Sequence, residues 1–381
     1  MLLFDLTAAQ GWGTTKQHGG GKYAEIVFEA LCKSGVRMMA MWDPTRWISD
    51  FLLELCEKYS VKMEDVSKNS LDKIVNDNHV SCIYSAFPEK DLLAYTGCRI
   101  IATLHGLRKL EMPVDWMTLK YPHGFLLPIK LLIKKCLPEK MLRRRSYNMY
   151  RKYFKNEKIS LVTVSNHTKY AIGTYFPEVD VEKIMVCYSP STSNPIRAER
   201  NTTPPPYFLL VSANREEKNA LRAMMALDQF LDRHDMKAFQ VKITGIGENI
   251  FKYRLRHPEN FVFCGYVDDM ELNSLYANAY ALVYPSLTEG FGYPPLEAMR
   301  YGVPVIASSF TSISEVCGDA ALYFNPFSVN EMTNRILQIS NEEIYAAYAE
   351  KALRRYEEVT CKQNSDLVRL VEYIVNSGFD E

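Results

Sequence analysis

The stretch from Ser286 to Met299 restricts the fold of this chain more than any other part of the sequence. It follows an apolar run, Tyr280–Pro285, that is typical of a buried parallel strand. Two glycines and then two consecutive prolines come next, and prolines fit the first turn of a helix because no N–H donor is needed there. The predicted order of strand, glycine-containing turn and helix is the repeating unit of a parallel α/β sheet.

The glycine-containing turn predicts an anion site. Gly290 and Gly292 leave the backbone uncovered, so N–H groups at the positive end of the following helix can receive an anion, most naturally a phosphate. Two carboxylates flank the turn, Glu289 before the glycines and Glu297 in the first helical turn. Because carboxylates repel an anion, we expect these two to bind neutral hydroxyls. A phosphate with hydroxyls on either side describes a nucleotide sugar.

The same residues resemble a known family. Glu289 and Glu297, within the run Glu-Gly-Phe-Gly-Tyr-Pro-Pro-Leu-Glu-Ala-Met, are similar to the signature of the retaining GT-B glycosyltransferases of family 4, the glycosyl transferases group 1. The similarity continues through residues 301–308 and 314–321. The extended run, with its glycines and prolines in place, is what makes the resemblance specific. The alternative is that the glycines only close a turn and that both glutamates are solvated.

Length and composition indicate a folded protein of two domains. The 381 residues are many for one hydrophobic core, and 47% of them are hydrophobic, which argues against disorder. The formal net charge is zero, so no general attraction to nucleic acid is predicted. Nine cysteines are scattered without a CxxC pair, as expected for reduced thiols in a cytoplasmic protein. The N-terminal residues lack a basic leader, and no apolar run reaches the roughly 18 residues that span a bilayer.

Short apolar runs alternate with helical segments along the chain, which indicates parallel α/β sheets. The first series covers residues 1–190, and its first helix is predicted to begin at Tyr23. Residues 191–206 are polar and rich in proline and are predicted to be a linker, and the second series covers residues 207–360. The resemblance implies a GT-B fold, in which two Rossmann-like domains face each other across a cleft. It also implies that an amphipathic helix over residues 361–381 crosses back to the first domain.

Two features of the first domain are candidate parts of a site. The Gly19–Gly21 triplet is either a loop that approaches a phosphate or a flexible connection, because it does not match GxGxxG. His105 follows a predicted strand, and ligands of open α/β sheets bind at such strand ends. The resemblance implies that Gly20 and Gly21 face the donor phosphate and that His105 faces the donor sugar. The family's usual aspartate after the histidine is replaced by Gly106.

A charged turn follows the first strand of the second series. Arg215 and Lys218 lie at the carboxyl end of that strand, where two cations can neutralise a departing diphosphate. The alternative is a solvated turn in which both cations pair with Glu216 and Glu217. The resemblance implies that they are the family's arginine and lysine for the donor diphosphate, although the family's arginine usually lies further from the lysine.

A strongly basic segment runs from Lys120 to Lys158, with apolar residues interleaved at 125–133. One interpretation is a solvated helix face packed on the domain. The other is an interfacial helix that contacts anionic lipid or a phosphate-rich acceptor. An anionic membrane surface, contacted through Lys130–Lys158, is therefore a predicted partner, and the protein is predicted to be peripheral on the inner face of the membrane.

Together with these features, the resemblance implies a retaining, metal-independent hexosyltransferase. It would move a hexose from a GDP- or UDP-linked sugar to a hydroxyl of a glycan or lipid-linked glycan, in surface polysaccharide or glycolipid synthesis. No DxD pair lies at a strand end, so no metal or other cofactor is predicted beyond the nucleotide sugar, which is a co-substrate. The expected catalytic residues are Glu289, His105 and Lys218. The expected donor-binding residues are Arg215, Lys218, Gly290, Phe291, Gly292, Glu297, Gly20 and Gly21.

Two other functions stay open at this point. A GT-B nucleotide-sugar epimerase shares the fold but usually has additional carboxylates in its first domain. A non-catalytic nucleotide-sugar-binding subunit would bind donor without turnover, so nucleotide release that depends on an acceptor distinguishes the enzyme from it. A nicotinamide-dependent dehydrogenase would need GxGxxG after the first strand, which Gly19–Gly21 does not supply.

Overall fold

The structure is a computed structural model that describes residues 1–11, 19–121, 127–136, 139–191, 205–251 and 253–378. It divides the chain into two compact units. The first unit consists of Met1–Leu107, Arg145–Ser193 and Thr360–Glu381, and the second consists of Arg108–Arg144 and Asn194–Val359. Nearly all of the predicted linker, residues 192–204, lies outside the described residues.

The first unit is built on a parallel sheet of seven strands in the order β3-β2-β1-β4-β5-β6-β7. These strands are β1 (Leu2–Asp5), β2 (Met38–Trp42), β3 (Lys62–Asp65), β4 (Cys82–Ser85), β5 (Arg99–Leu104), β6 (Ile159–Thr163) and β7 (Met185–Val186). The central strands are buried on both faces, as in parallel sheets covered by helices. The sequence did not indicate β3, because this edge strand reads Lys-Met-Glu-Asp and contains no apolar run.

The helices before residue 176 lie between these strands in the sequence. They are α1 (Gly19–Lys33), α2 (Asp50–Lys58), α3 (Leu71–Asp77), α4 (Lys90–Ala94), α5 (Arg108–Glu111), α6 (Leu127–Cys136), α7 (Glu139–Lys155) and α8 (Asn166–Tyr175). The first helix begins at Gly19 and not at Tyr23, so the glycine triplet is its first turn and not a loop. Glycine disfavours helix locally, but the buried face of Tyr23, Val27 and Leu31 fixes α1 against the sheet.

The second unit is built on a parallel sheet of six strands in the order β10-β9-β8-β11-β12-β13. Its strands are β8 (Tyr207–Leu210), β9 (Gln240–Thr244), β10 (Phe261–Gly265), β11 (Ala281–Tyr284), β12 (Val305–Ser308) and β13 (Ala321–Phe324). Its helices are α9 (Ala220–Phe230), α10 (Asp269–Asn278), α11 (Tyr293–Met299), α12 (Ile313–Cys317), α13 (Val329–Ile339) and α14 (Glu342–Ser377). The prediction of two Rossmann-like parallel-sheet domains is confirmed.

The segment after β5 packs with the second unit. The predicted first domain, residues 1–190, included it, whereas the described residues between 108 and 144 belong to the second unit. Tyr121 lies in the apolar core of that unit, with its ring 4.8 Å from the ring of Phe251 in an edge-to-face arrangement. Asp115 forms an ion pair with Arg222 of α9, at 2.5 Å and with both side chains largely buried. Aromatic burial and a shielded ion pair therefore decide where this segment packs.

The last helix is divided between the units. The predicted helix over residues 361–381 is the end of the 36-residue α14, which begins at Glu342. Its residues from Thr360 onward belong to the first unit, where Asp366 accepts a hydrogen bond from the backbone N–H of Tyr188 at 2.8 Å. None of the helices in the described ranges is both long and apolar enough to span a bilayer.

Candidate active site

The candidate site lies where the strand order of the second sheet reverses. The chain builds β8, β9 and β10 in one direction and then returns to place β11 on the other side of β8. Loops from the carboxyl ends of β8 and β11 therefore diverge and leave a crevice, which is where open α/β sheets bind ligands. The β8 loop carries Lys218 and the β11 loop carries Glu289.

Lys218 and Glu289 form a largely buried ion pair. The Lys218 Nζ lies 2.5 Å from Glu289 Oε1, and the side chains are 6% and 17% exposed. The same carboxylate oxygen accepts hydrogen bonds from the hydroxyls of Tyr284, at 2.6 Å, and Ser286, at 2.5 Å. Among the described residues, all side-chain hydrogen bonds of this carboxylate fall on Oε1. Its Oε2 is therefore the oxygen that a ligand hydroxyl can use.

The environment keeps the Glu289 carboxyl ionised. Burial acts to raise its pKa, but the charge of Lys218 and the hydrogen bonds from Lys218, Ser286 and Tyr284 outweigh burial and lower the pKa below its ordinary value. The Tyr284 hydroxyl shows the opposite effect, because burial and the adjacent carboxylate raise its pKa well above the ordinary value. Tyr284 therefore remains a neutral hydrogen-bond donor.

A third loop holds the Glu289 turn in place. Thr311, which follows β12, accepts a hydrogen bond from the Glu289 backbone N–H at 3.0 Å. The Ser312 hydroxyl donates to the carbonyls of Glu289, at 3.0 Å, and Phe291, at 2.9 Å. Backbone groups of the turn are thus fixed from outside the motif, which positions the carboxylate independently of any ligand.

The Lys218 loop contains strained backbone. Asn219 has a φ of 53°, in the left-handed region that residues with a Cβ seldom adopt. Its amide donates to the carbonyls of Pro285, at 3.2 Å, and Pro326, at 2.8 Å, and its Oδ1 accepts from Arg222 at 3.0 Å. Such strain persists only where surrounding contacts hold it, and it is common at functional sites.

The glycine turn leads into α11 as predicted. Gly292 has a φ of 108°, a conformation that favours glycine, and it precedes the helix directly. Because α11 has only seven residues, it aligns few peptide dipoles, and side-chain cations are the stronger source of positive charge for an anion. Glu297 lies on α11 beside the buried hydroxyl of Tyr276, whose pKa is raised well above its ordinary value by burial and by this carboxylate.

Arg215 is close to Lys218 in sequence but differs from it in exposure. Its side chain is 51% exposed, and its Nε lies 3.9 Å from Glu217 Oε1. Glu217 itself is 5% exposed. The structure therefore places one predicted cation inside the loop, against Glu289, and the other on the surface of the same loop.

The predicted residues of the first unit lie at the carboxyl edge of its own sheet. His105 directly follows β5, and its ring stacks on Phe87 with a centroid distance of 4.0 Å and meets Tyr23 edge to face. Its Nε2 lies 3.1 Å from the carbonyl of Ala86. Gly20 and Gly21 form part of the first turn of α1.

Comparison with known proteins agrees with the geometry of the second unit. The family model for glycosyl transferases group 1 matches residues 205–342, which include the β8 and β11 loops with Lys218 and Glu289. Residues 205–342 are therefore similar to group 1 glycosyltransferases and are called the group 1 domain below. The signature around Glu289, on which the resemblance rested, therefore belongs to a match that covers most of the second unit.

Parts of the chain also resemble curated relatives. O-antigen chain mannosyltransferase B of Escherichia coli is 47% identical over 87 residues, which is 23% of each chain. O-antigen chain mannosyltransferase RfbU of Salmonella typhimurium is 34% identical over 174 residues, 44% of this chain and 46% of the relative. The matched region thus spans less than half of either relative.

The fold extends beyond the group 1 domain. HepE of Anabaena, solved in complex with UDP-glucose, superposes with a TM-score of 0.61 over 97% of this chain and 99% of its own chain, at 16% identity. At this identity the similarity shows the fold alone, which is the GT-B fold. Both units therefore have counterparts in one architecture, although sequence similarity is confined to part of the chain.

Several residues around the group 1 signature could not be found from sequence. Thr311 and Ser312 lie more than 20 residues after Glu289 and carry no pattern of their own. Asn219 looks like any polar loop residue until its left-handed backbone is seen. Tyr284 and Ser286 offered a signal, since they border the predicted strand end, but periodicity does not reveal which hydroxyl meets a carboxylate.

Proposed function

We propose that the protein is a retaining hexosyltransferase that transfers a mannosyl residue from a nucleotide sugar to a hydroxyl of a growing polysaccharide. The pair of Lys218 and Glu289 at the strand reversal of the second sheet carries this proposal. The two O-antigen mannosyltransferases that match parts of the chain support the choice of mannose and of a polysaccharide acceptor. HepE, solved with UDP-glucose, supports a nucleotide sugar as donor.

The chemistry requires stabilisation of two developing charges. The bond between the anomeric carbon and the diphosphate oxygen breaks, which leaves negative charge on the diphosphate and positive charge on the sugar ring. Lys218 donates to Glu289 and Tyr284, so one of its three N–H groups remains for a phosphate oxygen. Arg215 adds a second cation on the exposed side of the loop.

Glu289 would act on the sugar. Its ionised carboxylate is held by three donors on Oε1, so Oε2 can accept hydrogen bonds from sugar hydroxyls while its charge stabilises the cationic ring. Glu297 would bind the ribose diol. The acceptor oxygen attacks the face from which the diphosphate leaves, and the departing phosphate takes the acceptor's proton, so the anomeric configuration is retained. The proposed role of His105 is to bind the donor sugar.

Turnover by the full chain tests this function. We expect nucleoside diphosphate release from a mannose donor only when an acceptor glycan is added, and loss of release in Glu289→Gln. Glu271→Gln, which changes an exposed glutamate of α10 in the same unit, is the matched control. Release without acceptor dependence, or equal rates for both variants, would contradict the proposal. The anomeric signal of the product in NMR spectra reports retention or inversion.

We also infer that no divalent metal ion is required, because cationic side chains supply the charge that a metal otherwise gives a diphosphate. Activity should therefore persist in EDTA at the rate of the untreated enzyme. A complete loss that manganese or magnesium restores would overturn this inference.

The proposed location is the cytoplasm, at the inner face of the membrane. On α6, the side chains of Ile129, Leu132 and Ile133 are 53%, 57% and 51% exposed, and their spacing places them on one face. Met141, on α7, is 63% exposed, and the exposed Arg144 follows it within one turn. Exposed apolar side chains next to exposed cations are the combination that binds anionic lipid surfaces.

The structure shows which arginines of α7 can be replaced to test membrane binding. Arg143 is partly buried and donates to the carbonyl of Met112 at 3.4 Å, so its replacement would disturb the fold. Changing Arg144 and Arg145 to glutamine should weaken binding to vesicles that contain anionic lipid, with rising salt having the same effect. Unchanged vesicle binding would overturn the membrane proposal, and lost transfer with unchanged binding would identify an acceptor site.

A further inference from the structure

The two predicted phosphate ligands do not by themselves make the β8 loop positive. Lys218 is opposed by Glu289 at 2.5 Å, and Arg215 by Glu217 at 3.9 Å. With Glu216 of the same loop, three carboxylates oppose these two cations, whereas a departing nucleoside diphosphate carries at least two negative charges. A site that stabilises this group needs further positive charge close to the same loop.

Arg108 supplies that charge. It is the first residue of the segment that leaves β5 and packs on the second unit, and its Nη2 lies 2.7 Å from Glu217 Oε2. Its side chain is 59% exposed, so its guanidinium pairs with the buried carboxylate and remains accessible to a ligand. Arg108 and Arg215 thus contact the two oxygens of one carboxylate, Glu217, which lies between Arg215 and Lys218 in the chain.

Glu217 has the properties of an orienting group. It is 5% exposed, and its Oε1 is buried without a hydrogen-bond partner, since Arg215 at 3.9 Å is beyond hydrogen-bond range. Its backbone carbonyl accepts from the N–H of Leu287 at 2.8 Å and lies 3.2 Å from the Ser286 hydroxyl, so Glu217 lies against the turn that carries Glu289. Glu217, with which both arginines pair, therefore lies on a loop that is hydrogen-bonded to the turn of the predicted sugar-binding carboxylate.

The segment after Arg108 is fixed to the same loop. Asp115 binds Arg222 through both of its carboxylate oxygens, at 2.5 and 2.9 Å, and Arg222 in turn donates to the left-handed Asn219 next to Lys218. The Thr118 hydroxyl donates to the carboxylate of Glu216. The position of Arg108 relative to Lys218 is therefore set by several contacts within one unit and not by a single surface ion pair.

We propose that Arg108 is a third cation of the diphosphate site and that Glu217 orients Arg108 and Arg215 toward the leaving diphosphate. This inference rests on the proposed function, because the ligand is the nucleoside diphosphate of that reaction. It adds a residue that lies more than 100 positions before the group 1 domain signature. The ligand class is a nucleoside diphosphate, with the nucleoside monophosphate as the poorer ligand.

Calorimetric titration with GDP, UDP, GMP and UMP tests the assignment. Arg108→Gln should weaken diphosphate binding about tenfold, the loss expected for one charge-assisted hydrogen bond at a partly exposed site, and should change monophosphate binding much less. Arg108→Lys should recover part of the loss. The neighbouring exposed Lys109→Gln is the matched control and should bind all four nucleotides like the wild type.

A second pair of variants separates binding from folding. Arg108→Gln leaves Glu217 buried with only the distant Arg215, so this variant can lose stability. Comparing Glu217→Gln with Arg108→Gln/Glu217→Gln measures the contribution of Arg108 without that buried charge, and thermal melting confirms the fold. Equal diphosphate affinity within this pair, or equal weakening of mono- and diphosphates, would overturn the assignment. Failure of the wild type to bind either diphosphate would overturn the proposed function as well.

Discussion

Each of the two sheets has a carboxylate beside the point where its strand order reverses, and the surroundings of the two carboxylates differ. Each sheet reverses its strand order once, next to β1 in the first unit and next to β8 in the second. At the first reversal Asp5, the last residue of β1, accepts hydrogen bonds from the Ser85 hydroxyl at 2.6 Å and from the Thr7 N–H at 3.0 Å. At the second, Glu289 binds Lys218.

The difference shows what turns a strand-end carboxylate into a candidate catalytic group. Asp5 is 1% exposed, and its hydrogen-bond partners among the described residues are neutral; burial raises its pKa above the ordinary value despite hydrogen bonds from Ser85 and Thr7. Glu289 keeps 17% of its side chain exposed, and its cationic partner lowers its pKa. The topology of the sheets accounts for the position of both carboxylates beside a strand reversal. A cation and access to solvent distinguish the one that can bind a substrate.

Neutralising each carboxylate in turn should give the largest difference between the two sites. We expect Glu289→Gln to lose on the order of 3 kcal/mol of transition-state stabilisation, about a hundredfold or more in kcat, as for other preorganised electrostatic groups. Asp5→Asn, the matched change at the first reversal, should leave kcat within about threefold because Asp5 is not accessible to a ligand. Equal losses in the two variants would show that both carboxylates serve the reaction.

Removing the cation Lys218 should have the second largest effect, which is a loss of stability. Lys218→Met leaves the Glu289 carboxylate largely buried without its charge partner, and we expect a loss of about 2–3 kcal/mol in the free energy of unfolding, since the carboxylate keeps its two hydroxyl donors. Lys218→Met/Glu289→Gln should regain part of this loss. Urea unfolding of both single variants and the double variant gives the coupling energy, and a coupling near zero would contradict the ion pair.

The two carboxylates should give stability differences with opposite dependence on pH. Glu289 has a lower pKa in the folded protein than its ordinary value of 4.5, so its ionised form stabilises the fold at pH values above 4.5. This stabilisation disappears as the pH falls through the folded pKa. The advantage of wild type over Glu289→Gln should therefore shrink on acidification. The raised pKa of Asp5 means that wild type loses stability relative to Asp5→Asn as pH rises above 3.8. Parallel trends in urea unfolding at several pH values would contradict this assignment.

Removing the serine donor of each carboxylate should have the smallest effect of these changes. Ser286 donates to Glu289 and Ser85 donates to Asp5. Ser286→Ala should lower kcat by about tenfold, since a hydrogen bond to a charged group contributes about 1.5 kcal/mol or more. Ser85→Ala should lower stability by a similar amount and leave kcat unchanged. A loss of kcat in Ser85→Ala would link the first reversal to the reaction.

Much of the fold was predictable because the buried strands of a parallel sheet have a recognisable local sequence pattern. Buried strands such as β11 read as apolar runs, and the glycines and prolines after it mark a turn and a helix start. Edge strands have no such pattern, as β3 shows. The glycine triplet was wrongly predicted to be a loop because glycine has a low helix propensity. Packing of the buried face of α1 makes these residues helical all the same.

Part of the candidate site was equally local. Glu289, Gly290, Gly292 and Glu297 lie within nine residues, so their order along one strand, turn and helix is set by the sequence itself. The same holds for the position of Lys218 at the end of the β8 loop. The sequence by itself therefore determined two parallel sheets, the motif and the residues that the motif contains.

Only the tertiary structure decided which charges meet. It paired Lys218 with Glu289, left Asp5 with neutral partners, and brought Arg108 to Glu217 by packing residues 108–144 on the second unit. These pairs join residues that are 71 to 109 positions apart, and no local pattern records such contacts. Charge pairing depends on distance, burial and competing partners in space, so the net charge of the site is a property of the fold.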